Sequence, residues 1–207
     1  MPKLLSSELH VWVIDTHDND FFQKHYNVLS KEEKERSQKF LFSSDTHNFL
    51  SSHIATRLIL SKYIKCLADQ IIFGYHEYGK PYILNKNKVC FNLSHSGQKA
   101  IIAIYEKDVG IDIEHINREL KIKDITEFAF NEQELLQLNT FSGNNQKKEF
   151  FKLWTKKEAI LKAKGTGLFD DLKNTDISNY SVQHLDLNND DYVAAIAYKK
   201  NNVNRLF

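Results

Sequence analysis

Apolar and polar residues alternate along 8–15 (ELHVWVID), and that period predicts a strand with one face on a core. A charged helix is predicted over 29–42, with Ser30 as its N-cap. A longer helix follows over 44–67, where Phe49, Ile54 and Leu58 recur at helical spacing. Short strands near 71–73 and 82–84 lead to three more over 88–94, 100–106 and 107–116. Helices are predicted over 122–129, 131–139 and 146–164, a mobile loop over 139–148, and a closing hairpin from 180–187 and 191–198. Strand, helices, strands thus occur twice in succession. The order predicts an α+β fold of two pseudo-symmetric halves, 1–103 and 104–207, with a site at their interface.

The strand KDVGIDIEHI (107–116) interrupts its apolar run with Asp112 and Glu114. Residues i and i+2 share a face of a strand, roughly 6.5–7 Å apart, so the two carboxylates repel unless a cation lies between them. A solvated polar face is the ordinary explanation. A hard-cation site is the functional one, because oxygen ligands on a rigid strand suit Mg²⁺. The pair alone does not decide between them.

On EFFKLWTKKEAILKAKGTGL (149–168), helical spacing puts Phe151, Trp154, Glu158 and Leu161/Lys162 on one stripe. Glu158 and Lys162 could be a surface i,i+4 pair, worth only ~0.3–0.5 kcal/mol. A carboxylate on a core-directed aromatic stripe otherwise needs a partner. Gly165 is available for a left-handed cap. FNLSHSG (91–97) reads as turn chemistry at a strand end; a Ser–His hydrolase is disfavoured, since adjacent strand residues point apart and no nucleophile elbow is present. His95 as a phosphate ligand is the better functional reading. Lys34, Arg36, Lys39, Arg57 and Lys80 form a local group of cations.

Composition narrows the field. With 28 basic and 27 acidic residues, no global charge points to nucleic acid or a membrane surface. Cys66 and Cys90 match no zinc spacing or secreted disulfide framework, and no apolar run suits a signal peptide or membrane span, so a cytoplasmic protein is expected. Of seven glycines, six lie in or beside the motifs named here, where a backbone must turn or approach something closely.

YGKPY, FNLSHSG, VGIDIE, FNEQE and WTKKEAxxKxxGxG, in that order over about 29–168, resemble the 4′-phosphopantetheinyl transferases. The length is similar to the long, monomeric surfactin-synthetase-activating class. The resemblance implies transfer of the phosphopantetheine arm of coenzyme A to a serine of an apo acyl or peptidyl carrier protein, with 3′,5′-ADP leaving. It implies Mg²⁺ (or Mn²⁺) on Asp112, Glu114 and Glu158, with Glu158 as general base, Lys162 on the departing phosphate and Lys157 on the diphosphate. Arg36, Lys80, Ser94 and His95, with Lys34 and Lys39 nearby, would meet the nucleotide's 3′-phosphate. Two positions depart from the family pattern: Glu33 stands where a basic residue is frequent, and Ile116 where a polar one is. A Mg²⁺-dependent nucleotide phosphohydrolase and a catalytically dead carrier-binding paralogue are the alternatives.

Overall fold

Two strands have no polar face. Beyond Lys99 every residue of β5 (Lys99–Tyr105) is buried, and so is Val193–Ala197 of β8 (Tyr192–Lys199). Such runs suit the middle of a sheet, and that is where both lie. β5 pairs antiparallel with β1 (His10–Asp15) and β4 (Cys90–Ser96); β8 pairs antiparallel with β6 (Val109–His115) and β7 (Tyr180–Leu185). The computed structural model describes residues 8–84, 88–117, 122–167, 172–173 and 179–200; Leu168 and the first seven residues of the predicted N-terminal half fall outside these.

Period two then sorts the core. Ile102 and Ile104 of β5 face α3 (Ser43–Ile64), packing with Ile59, Leu60 and Ile64. Ile101, Ala103 and Tyr105, on the other face, pack against Ile111 and Ile113 of β6 and Ala194 and Ile196 of β8. The halves therefore share one apolar layer. Their nearest edges are β4 and β6, and side chains rather than a backbone ladder span the seam. Asn92 Oδ1, Ser94 Oγ and Ser96 Oγ accept from the backbone N–H of Ile111, Ile113 and His115 at 2.8, 3.4 and 3.0 Å.

The remaining face of β6 meets α6 (Gly143–Lys164). Ala159, Ile160 and Ala163 pack on Ala195 and Ala197, the cross-strand partners of Asp112 and Gly110. A Cβ on Gly110 would lie 2.1 Å from the Ala159 carbonyl oxygen and 2.2 Å from the Ala163 nitrogen, so only glycine permits this approach. Small residues on both elements bring helix and strand together where Asp112 and Glu114 point. α4 (Ile122–Ala129) and α5 (Glu132–Asn139) add a flanking cluster in which Phe130, Phe150 and Phe151 are buried and Trp154 half-buried.

The predicted elements need adjustment in places. The expected helix 29–42 stops as α2 (Lys31–Ser37), after a Ser30–Glu33 capping box, and the chain turns before α3. A short α1 (Asn19–Lys24), capped by Asp18, lay outside the predicted pattern. The small hairpin is β2 (Phe73–Tyr75) with β3 (Pro81–Ile83). The loop expected over 139–148 is helical from Gly143, with Gln146 N–H reaching back to Ser142. Gly165 does end α6 in the left-handed region, φ 76°. Among the described residues no helix is long and apolar enough to cross a membrane.

Candidate active site

Asp112 and Glu114 are both buried, at 4% and 7% exposure, which rules out a solvated polar face. Asp112 Oδ1 accepts from Ser94 Oγ at 2.9 Å and from Lys162 Nζ at 2.6 Å, and the same ammonium reaches Ser94 Oγ at 3.0 Å. Glu114 Oε2 accepts from Ser96 Oγ at 3.0 Å. Each carboxylate of β6 is thus held by a serine of β4 from the other half. Asp112 Oδ2 is buried with no hydrogen-bond partner. An anionic oxygen left so is costly in a protein interior unless something positive can reach it.

Glu158 completes the cluster from α6. Burial pushes its carboxyl up to about 7; the Lys162 ammonium pulls it back, and the charges of Asp112 and Glu114 push it further up. Three carboxylates thus sense one another, and the third takes a proton at a pH where a free one would not. Among the described residues no three His, Cys, Asp or Glu side chains are gathered as a ready metal cage. Lys162 instead supplies the positive charge at Asp112. The parts nevertheless fit a hard divalent cation: the donors are all oxygens, one is an orphaned buried lone pair, and Glu158 is short of counter-charge.

Beside this cleft a cavity of about 340 Å³ opens in the N-terminal half, lined among others by Arg36, His53, His95, Phe49, Phe73 and Tyr75. Its wall combines aromatic rings with the Arg36 guanidinium and two histidines, beside the Glu33 carboxylate that Arg57 holds, and rings with a guanidinium suit a flat base and an anion. Arg36 lies over the Phe49 ring, 5.4 Å from its centroid. His95 is solvent-exposed yet surrounded closely enough that desolvation holds its pKa below normal; Lys162 lowers it further, while Asp45 and Asp112 oppose. His95 therefore stands between the cavity and the carboxylates. Ser94 and His95 do point apart along β4, one to Asp112 and the other to the cavity.

Several expected nucleotide contacts are engaged elsewhere. Ser94 donates to Asp112. Lys157 is buried, donating to the Leu172 carbonyl at 2.6 Å and paired with Glu134 at 2.8 Å. Lys80 donates to the Val109 and Ala163 carbonyls at 3.1 and 2.7 Å. Lys34 lies over the Tyr26 ring and Lys39 is exposed; neither lines the cavity. Arg57 is only 2% exposed, holding Glu33 at 2.7 Å and the Ala68 and Ile71 carbonyls at 3.0 Å. That pair explains the acid at position 33: it caps α2 and neutralises Arg57.

Asn92, Ser96 and His53 escaped the sequence reading. The first two carry a signal: with Ser94 they make positions 92, 94 and 96 polar, every second residue through the predicted strand and its end. His53 carries none: a histidine on a helix of mixed polar and apolar residues acquires meaning only from what it faces. It hydrogen-bonds the Phe49 carbonyl through Nδ1 at 2.9 Å, its ring 3.9 Å from that of Phe49. Burial lowers its pKa to about 4; the Phe49 hydrogen bond opposes, and His95, Arg36 and Arg57 add to the lowering.

Both halves of the chain are similar to known proteins. Residues 108–204 match the model of the 4′-phosphopantetheinyl transferase superfamily, and residues 15–107 match that of the 4′-phosphopantetheinyl transferase N-terminal domain. The chain is 28% identical to the putative 4′-phosphopantetheinyl transferase slr0495 of Synechocystis sp., over 95% of this chain and 89% of the relative. It is 32% identical to the 4′-phosphopantetheinyl transferase HetI of Nostoc sp., over 80% and 72% of the two. With the 4′-phosphopantetheinyl transferase gsp of Aneurinibacillus migulanus it shares 35% identity, over 75% of this chain and 63% of the relative. The two family models together span both halves, and on that evidence the chain belongs to the 4′-phosphopantetheinyl transferase superfamily.

Proposed function

We propose that this phosphopantetheinyl transferase works at the seam between β4, β6 and α6, moving the 4′-phosphopantetheine arm of coenzyme A to a serine of an apo acyl or peptidyl carrier protein. The observation that carries this reading is the buried, unpaired Asp112 Oδ2 beside Lys162, with Glu114 on the same strand and Glu158 near enough to feel both charges. Asp112, Glu114 and Glu158 would hold Mg²⁺, which when bound supplies positive charge to the diphosphate oxygens. The cavity holds the nucleotide end, with Arg36 and His95 on the 3′-phosphate and the aromatic walls on the base.

In the transfer, the serine hydroxyl oxygen attacks the phosphorus that bears the pantetheine, the bond to the neighbouring bridging oxygen breaks, and 3′,5′-ADP leaves. Glu158 takes the serine proton; a carboxyl tuned towards neutral pH is suited to that task. Lys162 brings its ammonium to the departing phosphate, exchanging its contact with Asp112 for that with the leaving group. Ser94 and Ser96 hold the two strand carboxylates in place.

The carrier meets the apolar flank of the C-terminal half. Of the apolar side chains on α4, α5 and the link between them, Phe128 and Leu136 are exposed, at 58% and 70%, whereas Phe130 is buried and Ile125 and Leu135 pack against the core cluster. We assign a monomer, with the N-terminal half (1–103) dedicated to the nucleotide and the C-terminal half (104–207) to the reacting atoms. The test is the intact mass of candidate apo carriers after incubation with coenzyme A, Mg²⁺ and this protein. A gain of one phosphopantetheine on a serine, absent when Mg²⁺ is chelated, is the expected result. Release of phosphate from coenzyme A with no carrier modified would overturn it.

A further inference from the structure

Lys80 sits in the turn between β2 and β3, flanked by Gly79 and Pro81, which line the nucleotide cavity. Its own side chain takes no part in that wall. It crosses to the C-terminal half, where Nζ donates to the Val109 carbonyl at 3.1 Å and the Ala163 carbonyl at 2.7 Å. Val109 opens β6, and Ala163 belongs to the last turn of α6, where helix carbonyls lack partners of their own. One ammonium therefore ties the start of the carboxylate strand to the end of the carboxylate helix.

The tie lies where the two elements are closest. Gly110, next to Val109, is the residue whose missing Cβ admits Ala159 and Ala163, and the Lys80 stem runs beside Gly165, the residue that caps the helix. Asp112 is two residues beyond Gly110, and Lys162 one residue before Ala163. Spacing fixed at this point is inherited directly by the Lys162–Asp112 contact and by Glu158. For Lys80 to reach a nucleotide phosphate it would have to strip two carbonyls of their donor.

We propose that Lys80 is a positioning residue: by bridging the Val109 and Ala163 carbonyls it sets the separation between Asp112/Glu114 and Glu158/Lys162, and it does not bind the 3′-phosphate. The same turn touches the nucleotide cavity through its backbone and the carboxylate frame through its ammonium. This rests on the transferase reading above, and it gives the N-terminal half a part in the geometry of the reacting end.

The test compares wild type with Lys80→Met and Lys80→Gln in the full chain, measuring kcat and KM for transfer from coenzyme A and from dephospho-coenzyme A. Binding of both nucleotides and of Mn²⁺, together with Tm, is measured without a carrier. For Lys80→Met, kcat should fall roughly 10–100-fold with either substrate, since small displacements at the reacting groups have effects of that order. Mn²⁺ affinity should fall about tenfold, and the preference for coenzyme A over dephospho-coenzyme A should stay within about twofold of wild type. Lys80→Gln, which keeps two N–H donors without a charge, should recover part of kcat and carries the same comparison if the Met variant does not fold. Loss of coenzyme A binding at least tenfold greater than that of dephospho-coenzyme A would make Lys80 a phosphate ligand and overturn the proposal. A lowered Tm with kcat and Mn²⁺ affinity unchanged would also overturn it, leaving Lys80 merely structural. If wild type modifies no carrier, the transferase reading fails, and Lys80 is still judged by its Mn²⁺ and nucleotide binding.

Discussion

The two halves place opposite chemistry on similar frames. Each is a three-stranded antiparallel sheet with a long helix across it. The N-terminal half presents Arg36, His53 and His95 to a cavity; the C-terminal half presents Asp112, Glu114 and Glu158 to a cleft. Burial acts on both in the same sense, moving His53 down to about 4 and Glu158 up to about 7. In each case the charged form is disfavoured. A ligand with a phosphate at one end and a metal-bound diphosphate at the other would bring negative charge to the histidines and Arg36 and further positive charge to the acids.

The strongest way to break this comparison is at Glu158. Glu158→Gln keeps the shape but removes the proton acceptor, and transfer should fall by ~10²–10⁴, with circular dichroism unchanged. Transfer within tenfold of wild type would separate Glu158 from the chemistry.

The two buried ion pairs sharpen it next. Each pair leaves one acid oxygen without a hydrogen bond, Glu33 Oε1 and Asp112 Oδ2, but Arg57 also serves two carbonyls, whereas Lys162–Asp112 lies beside Glu158, a further acid whose charged form burial disfavours. Glu33→Ala strands a buried guanidinium and should cost about 3–5 kcal/mol in denaturant unfolding. Lys162→Met should cost less in the metal-free protein and nearly nothing with Mg²⁺ present. Equal costs would mean that the pairs are equivalent.

Arg36→Ala and His95→Ala probe the nucleotide end. Coenzyme A should bind roughly 10–100-fold more weakly, and dephospho-coenzyme A much less affected, because only the former carries the 3′-phosphate. Equal losses in calorimetry would remove both residues from that role.

A smaller effect concerns stability and pH. The folded pKa of Glu158 is raised, so between about pH 4.5 and 7 the native state binds more protons than the unfolded one, and this group's contribution to stability falls as pH rises. Metal-free Glu158→Gln should therefore exceed wild type by about 1–3 kcal/mol at pH 8 and match it near pH 4. For His53 the sign is reversed: its pKa is lowered, so its contribution is present above about 6.5 and lost as pH falls towards 4. A Glu158→Gln advantage that grows towards acid would contradict the assignment.

The smallest expected change is in carrier recognition. If Phe128 and Leu136 form the contact, apparent carrier affinity should fall by less than about tenfold between 50 and 500 mM salt with coenzyme A saturating. A hundredfold loss would transfer recognition to charged residues.

Local pattern carried much of this molecule. Alternation marked β6 and put Asp112 and Glu114 on one face; helical spacing put Glu158 and Lys162 on one stripe; the order of elements announced two halves. These follow from periods of 2 and 3.6 residues, which the chain carries within itself. The cations were different. Lys80, Lys157 and Arg57 looked like free cations, but each is committed to carbonyls or an acid 11 or more residues away. A long flexible side chain has no local period, so its partner is set by which backbone groups packing leaves unsatisfied. The same holds for Asn92, Ser94 and Ser96, whose role as a seam exists only once β6 lies beside β4. The sequence by itself determined which elements form and which faces carry the acids. Tertiary packing alone decided which cations face a ligand, because it chose which side chains have carbonyls and carboxylates to satisfy first.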